Sequence, residues 1–281
     1  GGAWRTRTCI REEAVRPVGA GEGVGTAGAG GDAQAGPGAG VTGGSAGVGA
    51  GTARGRARAG YRVLLGARRG EKIEAIAAEI GGLARPLDVT SPKSVSAFVS
   101  WADEACGRVD ALVNNAGLAL GRETVDSLDD EDLVRMWETN VLGLLRMTRG
   151  LLPLIRRSAL GNIVNIGSVA GFDNYRGGAG YTATKHAVRA ITQTLRLELN
   201  GEPIRVTAIA PGMLESDFSR VRFKGDAAQA SAVYEGVESL QPEDIAACVA
   251  FVLAQPAHVN VDYMVVRPLA QAASWMVARK S

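Results

Sequence analysis

Histidine is nearly missing from this chain. Only His186 and His258 occur in 281 residues, which excludes a histidine-rich metal site and argues against a Ser/His catalytic pair. Cysteine is scarce as well. Cys9, Cys106 and Cys248 are odd in number and show no paired spacing, so no disulfide framework is expected and a reducing, cytoplasmic setting fits. No apolar run reaches the roughly 18 residues of a membrane helix, and no charged-then-apolar leader opens the sequence. Excess charge of one sign is also lacking. Lys+Arg 31 against Asp+Glu 29 leaves +2, too balanced for a nucleic-acid or polybasic membrane binder.

What the chain has in quantity is glycine, unevenly spread. Half of the 38 glycines lie in residues 1–60, and residues 19–40 are almost entirely Gly and Ala. Such a stretch buries too little side chain to offset the entropy of ordering it. Residues 1–38 are therefore expected to be disordered or artefactual, with one domain over 39–281.

From Tyr61 onward short apolar runs alternate with helical periodicity. YRVLL (61–65), a short run ending at Asp88, VDALVNN (109–115), NIVNIG (162–167), IRVTAIA (204–210) and VDYMVV (261–266) read as strands. Helices are expected over 71–80, after Ser91-Pro92, over 130–155, 181–200 and from Pro242 to about Gln255. In 130–155 the period places Leu133, Met136, Trp137, Asn140, Val141, Leu144 and Thr148 on one face. This alternation implies a doubly wound, Rossmann-like α/β domain with a parallel sheet of about seven strands.

Thr42-Gly43-Gly44-Ser45-Ala46-Gly47-Val48-Gly49 is a glycine-rich turn leading into a helix, where backbone can approach a pyrophosphate at the helix N-terminus. By itself it reads equally well as a flexible linker. Asn114-Asn115-Ala116-Gly117 follows a strand, at the sheet edge where ligands bind, or is a simple turn. Tyr181 and Lys185 share a helical face at i, i+4. A cation about 4 Å from the phenol at an effective dielectric of about 20 is worth about 4 kcal/mol, enough to lower its pKa by as much as roughly three pH units toward the range of a general acid–base. Ser168 stands after the strand NIVNIG, where its hydroxyl can join Tyr181 on a substrate oxygen or cap a turn. Asn140 is polar within an apolar stripe; it either satisfies backbone groups or holds a water behind the lysine. YRVLL runs into Gly66-Ala67-Arg68-Arg69 with no acid to bind a ribose diol. Arg68 and Arg69 suit a 2′-phosphate, which points to NADP.

In their order and spacing these elements resemble the short-chain dehydrogenases/reductases, from residue 41 to about 270. The resemblance implies Tyr181 as general acid–base, with Ser168 polarising the carbonyl. Lys185 is then on the nicotinamide ribose, and Asn140 anchors a proton-relay water. It extends the cofactor set of Gly43, Ser45, Gly47, Val48, Gly49, Arg68 and Arg69 to Asp88, Val89, Asn115, Ala116, Gly117, Pro211 and Gly212. The segments NAGLALG (115–121), VRFKGD (221–226) and PAHVN (256–260) resemble the NADP-dependent 3-hydroxy acid dehydrogenases. That group acts on serine, allo-threonine and related acids, and its members are typically homotetramers. A substrate lid is implied between Gly212 and Pro242, where Arg222 and Lys224 flank Phe223 as candidate readers of a substrate carboxylate. No metal, nucleic acid or membrane is implied. A 3-oxoacyl thioester reductase and a non-catalytic dinucleotide-binding scaffold are the rival readings.

One stretch departs from the pattern. Gly36-Pro37-Gly38-Ala39-Gly40-Val41 has one branched apolar residue where a central strand should have several, and Arg54-Gly55-Arg56 stands where Ala and Leu are usual. A frame or sequencing error upstream of about residue 60 is the economical explanation, natural degeneration the alternative.

Overall fold

The computed structural model describes residues 36–280. Most of the segment expected to be disordered or artefactual lies outside the described residues. The first strand, β1 (Gly38–Thr42), is followed by α1 (Gly47–Arg58), β2 (Arg62–Ala67), α2 (Gly70–Ile80), β3 (Leu83–Pro86), α3 (Pro92–Cys106) and β4 (Ala111–Asn114). Then come α4 (Asp130–Trp137), a π-turn (Glu138–Leu142), α5 (Gly143–Ile155), β5 (Gly161–Ile166), α6 (Ala179–Glu198) and β6 (Ile204–Pro211). The chain continues through the short helices α7 (Asp217–Arg222) and α8 (Ala227–Ala232), then α9 (Pro242–Leu253), β7 (Tyr263–Val266) and a hairpin of β8 (Gln271–Ala273) and β9 (Met276–Val277).

Strands β1 to β7 form one parallel sheet in the order β3-β2-β1-β4-β5-β6-β7. The order reverses between β1 and β4, opening a crevice beyond their C-terminal ends. Alternation along the strands separates two cores. Val63 and Leu65 of β2 join Ile245 and Val249 of α9 on one face, while Leu64 joins Phe98, Leu112, Leu151 and Ile163 on the other. No helix among the described residues is long and apolar enough to cross a membrane.

The glycine-rich β1 forms at the centre of this sheet with every residue buried. Ala39 and Val41 belong to the α9-side core, while a Cβ on Gly40 would meet Leu151 at 3.7 Å and Leu112 at 3.9 Å. The large neighbours fill what β1 omits. Arg56 of α1 is buried, its guanidinium 5.5 Å from the centre of the Tyr61 ring, and burial lowers its pKa.

The single stripe expected over 130–155 is broken. Met136, Asn140, Val141, Leu144 and Thr148 are buried, but Trp137 is 41% exposed. The π-turn adds a residue between α4 and α5, so a 3.6-residue period cannot run through it. β3 also ends earlier than expected, at Pro86 rather than Asp88.

Candidate active site

The C-terminal ends of β1, β2, β4, β5 and β6 open into a cleft of about 1510 Å³. Behind its wall lies Thr42, whose Oγ1 accepts from the backbone N–H of Asn115 and of Ala116, both at 3.0 Å. Asn115 Nδ2 returns bonds to the carbonyls of Thr42 (3.1 Å) and Gly43 (3.3 Å). The turn after β1 is thereby fastened to the turn after β4. Gly43 and Gly47 have φ of 65° and 52°, and a Cβ at Gly49 would stand 2.5 Å from the Gly43 carbonyl oxygen. The N-cap of α1, Ala46, offers no capping side chain, which leaves the first-turn amides for an anion. Ser45 and Val48 line the same wall.

Arg68 and Arg69 follow β2 at the exposed rim. Arg69 Nε donates to Ser45 Oγ at 3.1 Å, and its Nη1 pairs with Asp217 at 3.4 Å. Asp88 accepts from Thr90 N–H (2.9 Å) and Oγ1 (2.8 Å). Burial pushes its carboxyl up, but these bonds and the charge of Arg68 hold it below the usual range. Val89 is buried beside it. Asn115, Ala116, Gly117, Pro211 and Gly212 line the inner cleft.

Four of the residues singled out from sequence meet at its bottom. Ser168 follows β5; its Oγ accepts from Ala170 N–H at 3.1 Å and donates toward the Pro211 carbonyl at 3.5 Å, on the side of the cleft that holds Tyr181. Tyr181 and Lys185 are both buried on α6, with Lys185 Nζ 5.8 Å from the phenol ring centre. Nζ donates to the Ile166 carbonyl at 3.0 Å. Burial pushes the Tyr181 phenol well above its ordinary value, against the opposing influence of Ser168 and Arg222. Burial also pushes Lys185 down, to about 8. The expected lowering of the tyrosine is thus not the outcome: removal from water dominates, and Lys185 Nζ, 5.8 Å from the ring centre, is anchored on a carbonyl.

Asn140 is buried beside them and makes three hydrogen bonds. Nδ2 donates to the Leu118 carbonyl (2.8 Å) and to Thr184 Oγ1 (3.0 Å), while Oδ1 accepts from Leu118 N–H (2.8 Å). Both amide N–H groups are used, so this side chain braces the loop, while Oδ1 keeps a second lone pair that can accept from a water.

The two lid candidates part company. Arg222 Nε donates to the Gly121 carbonyl at 3.0 Å and Nη2 to the Tyr175 hydroxyl at 3.1 Å, with the guanidinium carbon 5.9 Å from the centre of the Tyr181 ring. Lys224 Nζ instead pairs with Asp132 at 2.8 Å, which takes its charge away from a carboxylate-reading role. Sequence reasoning missed Tyr175 and Phe218 (5.5 Å from Tyr181, ring to ring). It also missed the β8–β9 hairpin, whose Ser274, Trp275 and Val277 line the cleft. Their parts arise from long-range contacts, and no local pattern marks them.

A family model described as short chain dehydrogenase matches residues 38–227. An uncharacterized oxidoreductase of Mycobacterium tuberculosis is 49% identical over 215 residues, covering 76% of this chain and 84% of its own. An NADP-dependent 3-hydroxy acid dehydrogenase of Schizosaccharomyces pombe is 39% identical over 225 residues, covering 78% and 87%. Among solved structures, the closed form of a serine dehydrogenase complexed with NADP+ superposes with a TM-score of 0.82 at 37% identity, covering 87% of this chain and 100% of that one. The chain belongs to the short-chain dehydrogenase family.

Proposed function

We propose that this enzyme moves a hydride between NADP(H) and a small hydroxy acid or its semialdehyde, with Tyr181 transferring the proton. Arg222 is the observation that carries the substrate class. Its guanidinium is half-buried above the Tyr181 ring and has no carboxylate partner among the described residues. A cation withdrawn from water without a counter-charge favours an anionic ligand. A small hydroxy acid brings a carboxylate to Arg222 and a hydroxyl to Ser168 and Tyr181.

The cleft fits the cofactor. The tight approach of Gly49 to Gly43 leaves room for a diphosphate over the α1 amides, and Arg68 and Arg69 stand where a 2′-phosphate would lie. Asp88 and Val89 suit the adenine end. Asn115, Ala116, Gly117, Pro211 and Gly212 suit the nicotinamide end, with Lys185 on its ribose. The relatives named for NADP support the same choice. When bound, the nicotinamide supplies the hydride in reduction and accepts it in oxidation. Ser168 donates a hydrogen bond to the substrate oxygen. In reduction Tyr181 gives that oxygen its phenolic proton; in oxidation the phenolate takes the hydroxyl proton. Lys185 stabilises the negative charge that develops on Tyr181. Asn140 holds the loop carrying Leu118 against α6.

We extend the reading to a cytoplasmic homotetramer. Two separate sets of exposed apolar residues support it: Val134, Trp137 and Leu145 on α4 and α5, and Phe251 and Val265 on α9 and β7. Sedimentation that returns a monomer overturns the assembly.

The test of function is turnover with NADPH and NADH on a small semialdehyde, a 3-hydroxy acid, an uncharged alcohol of like size and a 3-oxoacyl thioester. Preference for the thioester overturns the substrate class. No turnover of any of them leaves a dinucleotide-binding scaffold.

A further inference from the structure

We propose that Tyr175 is the positioning residue that, together with the Gly121 carbonyl, aims Arg222 at the anionic group of the substrate. The inference rests on the reading of Arg222 given above and goes one residue beyond it.

A guanidinium has about five N–H donors in a rigid plane, so two fixed bonds define where the rest point. On Arg222 those bonds run from Nε to the Gly121 carbonyl at 3.0 Å and from Nη2 to the Tyr175 hydroxyl at 3.1 Å. The Tyr175 ring also lies along the guanidinium, 5.4 Å from ring centre to the central carbon, and Tyr175 and Arg222 both line the cleft. The remaining N–H groups have no carboxylate partner among the described residues.

The two acceptors are carried on one packed unit. Gly177 has φ of 71° and backs onto the Arg122 carbonyl so closely that a Cβ there would run into it. A Cβ at Gly178 would fall 2.5 Å from the Tyr175 ring. The two glycines ahead of α6 thus press the turn that bears Tyr175 against the segment that bears Gly121. Gly121 N–H also donates to the Arg222 carbonyl at 3.0 Å, so Arg222 is held at both main chain and side chain. The end of α7 is docked by this contact, and a free arginine would instead sample many rotamers at an entropic cost to binding.

A tyrosine can contribute its ring, its hydroxyl or both. Tyr175→Phe separates them, because the ring and its packing on Gly178 stay while the acceptor for Nη2 goes. The readout is kcat/KM for a 3-hydroxy acid divided by that for an uncharged alcohol of like size, with NADPH binding and thermal melting as checks on folding. Tyr175→Phe should lower this ratio about ten-fold, the scale of one hydrogen bond to a charged group. The loss should lie in KM for the acid rather than in kcat. Arg222→Ala should lower the ratio further, and Tyr175→Phe combined with Arg222→Ala should be no worse than Arg222→Ala alone. A ratio untouched by Tyr175→Phe but lowered by Arg222→Ala overturns the part given to Tyr175 and leaves the reading of Arg222 standing. So does equal loss on both substrates, which marks a packing role. A ratio that Arg222→Ala does not lower overturns both.

Discussion

Asn140 and the backbone of Leu118 hold each other through two hydrogen bonds of 2.8 Å, one in each direction. A third bond takes Asn140 to Thr184 Oγ1, which in turn donates to the Tyr181 carbonyl at 2.8 Å. The π-turn, the loop after β4 and helix α6, which carries Tyr181 and Lys185, are therefore joined at one buried amide. Asn140→Ala should strip both partners from Leu118 at about 1–3 kcal/mol for each buried group. The expected loss in urea unfolding is about 2–6 kcal/mol, alongside a loss of turnover. Full stability with impaired turnover would mean that Asn140 serves the chemistry without bracing the fold.

With the roles proposed for Tyr181 and Lys185, a pH dependence follows from their burial. Lys185, pushed down to about 8, carries its charge below that pH and loses it above. The Tyr181 phenol is raised, so it remains protonated and able to donate over the same range. Carbonyl reduction should then hold steady below about pH 8 and fall above it, because the phenolate forming on Tyr181 loses its neighbouring cation. Oxidation, which needs the phenolate at the outset, should gain as pH rises. Lys185→Arg should remove the alkaline fall in reduction, and Tyr181→Phe should abolish both directions while leaving NADPH binding nearly intact. A reductive kcat/KM that stays level to about pH 10 would contradict this account.

The sheet was legible because strands buried on both faces are written as apolar runs, as in NIVNI of β5 and VTAIA of β6. β1 was not, since GAGVT is buried by what surrounds it and owes little to its own side chains. Helices α7 and α8 and the terminal hairpin are short and held by tertiary contacts, so periodicity had little to register. Ser168, Tyr181 and Lys185 could be read together because sequence fixes their spacing. Their electrostatics could not. An i, i+4 pair treated at a surface-like dielectric omits the burial that raises the phenol. Trp137 was misplaced for a similar reason, as the π-turn after it has no signature in hydropathy.

The arginines after β2 give a cofactor test. Arg69 is already engaged by Ser45 and Asp217, while Arg68 has no carboxylate partner of its own among the described residues. Replacing both by Ala should raise KM for NADPH by about a hundred-fold or more, at roughly 1.5–3 kcal/mol for each of two charge-assisted contacts. NADH lacks the 2′-phosphate and should be affected much less. Equal effects on the two cofactors would show that these arginines do not read the phosphate.

Arg222 and Lys224 look alike in sequence, two cations on either side of Phe223, yet the fold gives them different work. Lys224 takes a left-handed backbone, φ 52°, and its ammonium meets Asp132, whose side chain is only 12% exposed. That acid lies on α4, so the pair ties the segment after α7 to the helix ahead of Asn140. Lys224→Ala should leave Asp132 largely buried without its cation, loosening the lid and lowering turnover of acids and alcohols alike. Their ratio should stay within about two-fold of the starting enzyme, because a largely exposed lysine in an existing ion pair adds little to substrate reading. Adding Asp132→Asn removes the stranded charge, and the double variant should recover part of the turnover that Lys224→Ala loses. A selective loss on 3-hydroxy acids in Lys224→Ala, left uncorrected by Asp132→Asn, would instead place Lys224 on the substrate carboxylate beside Arg222.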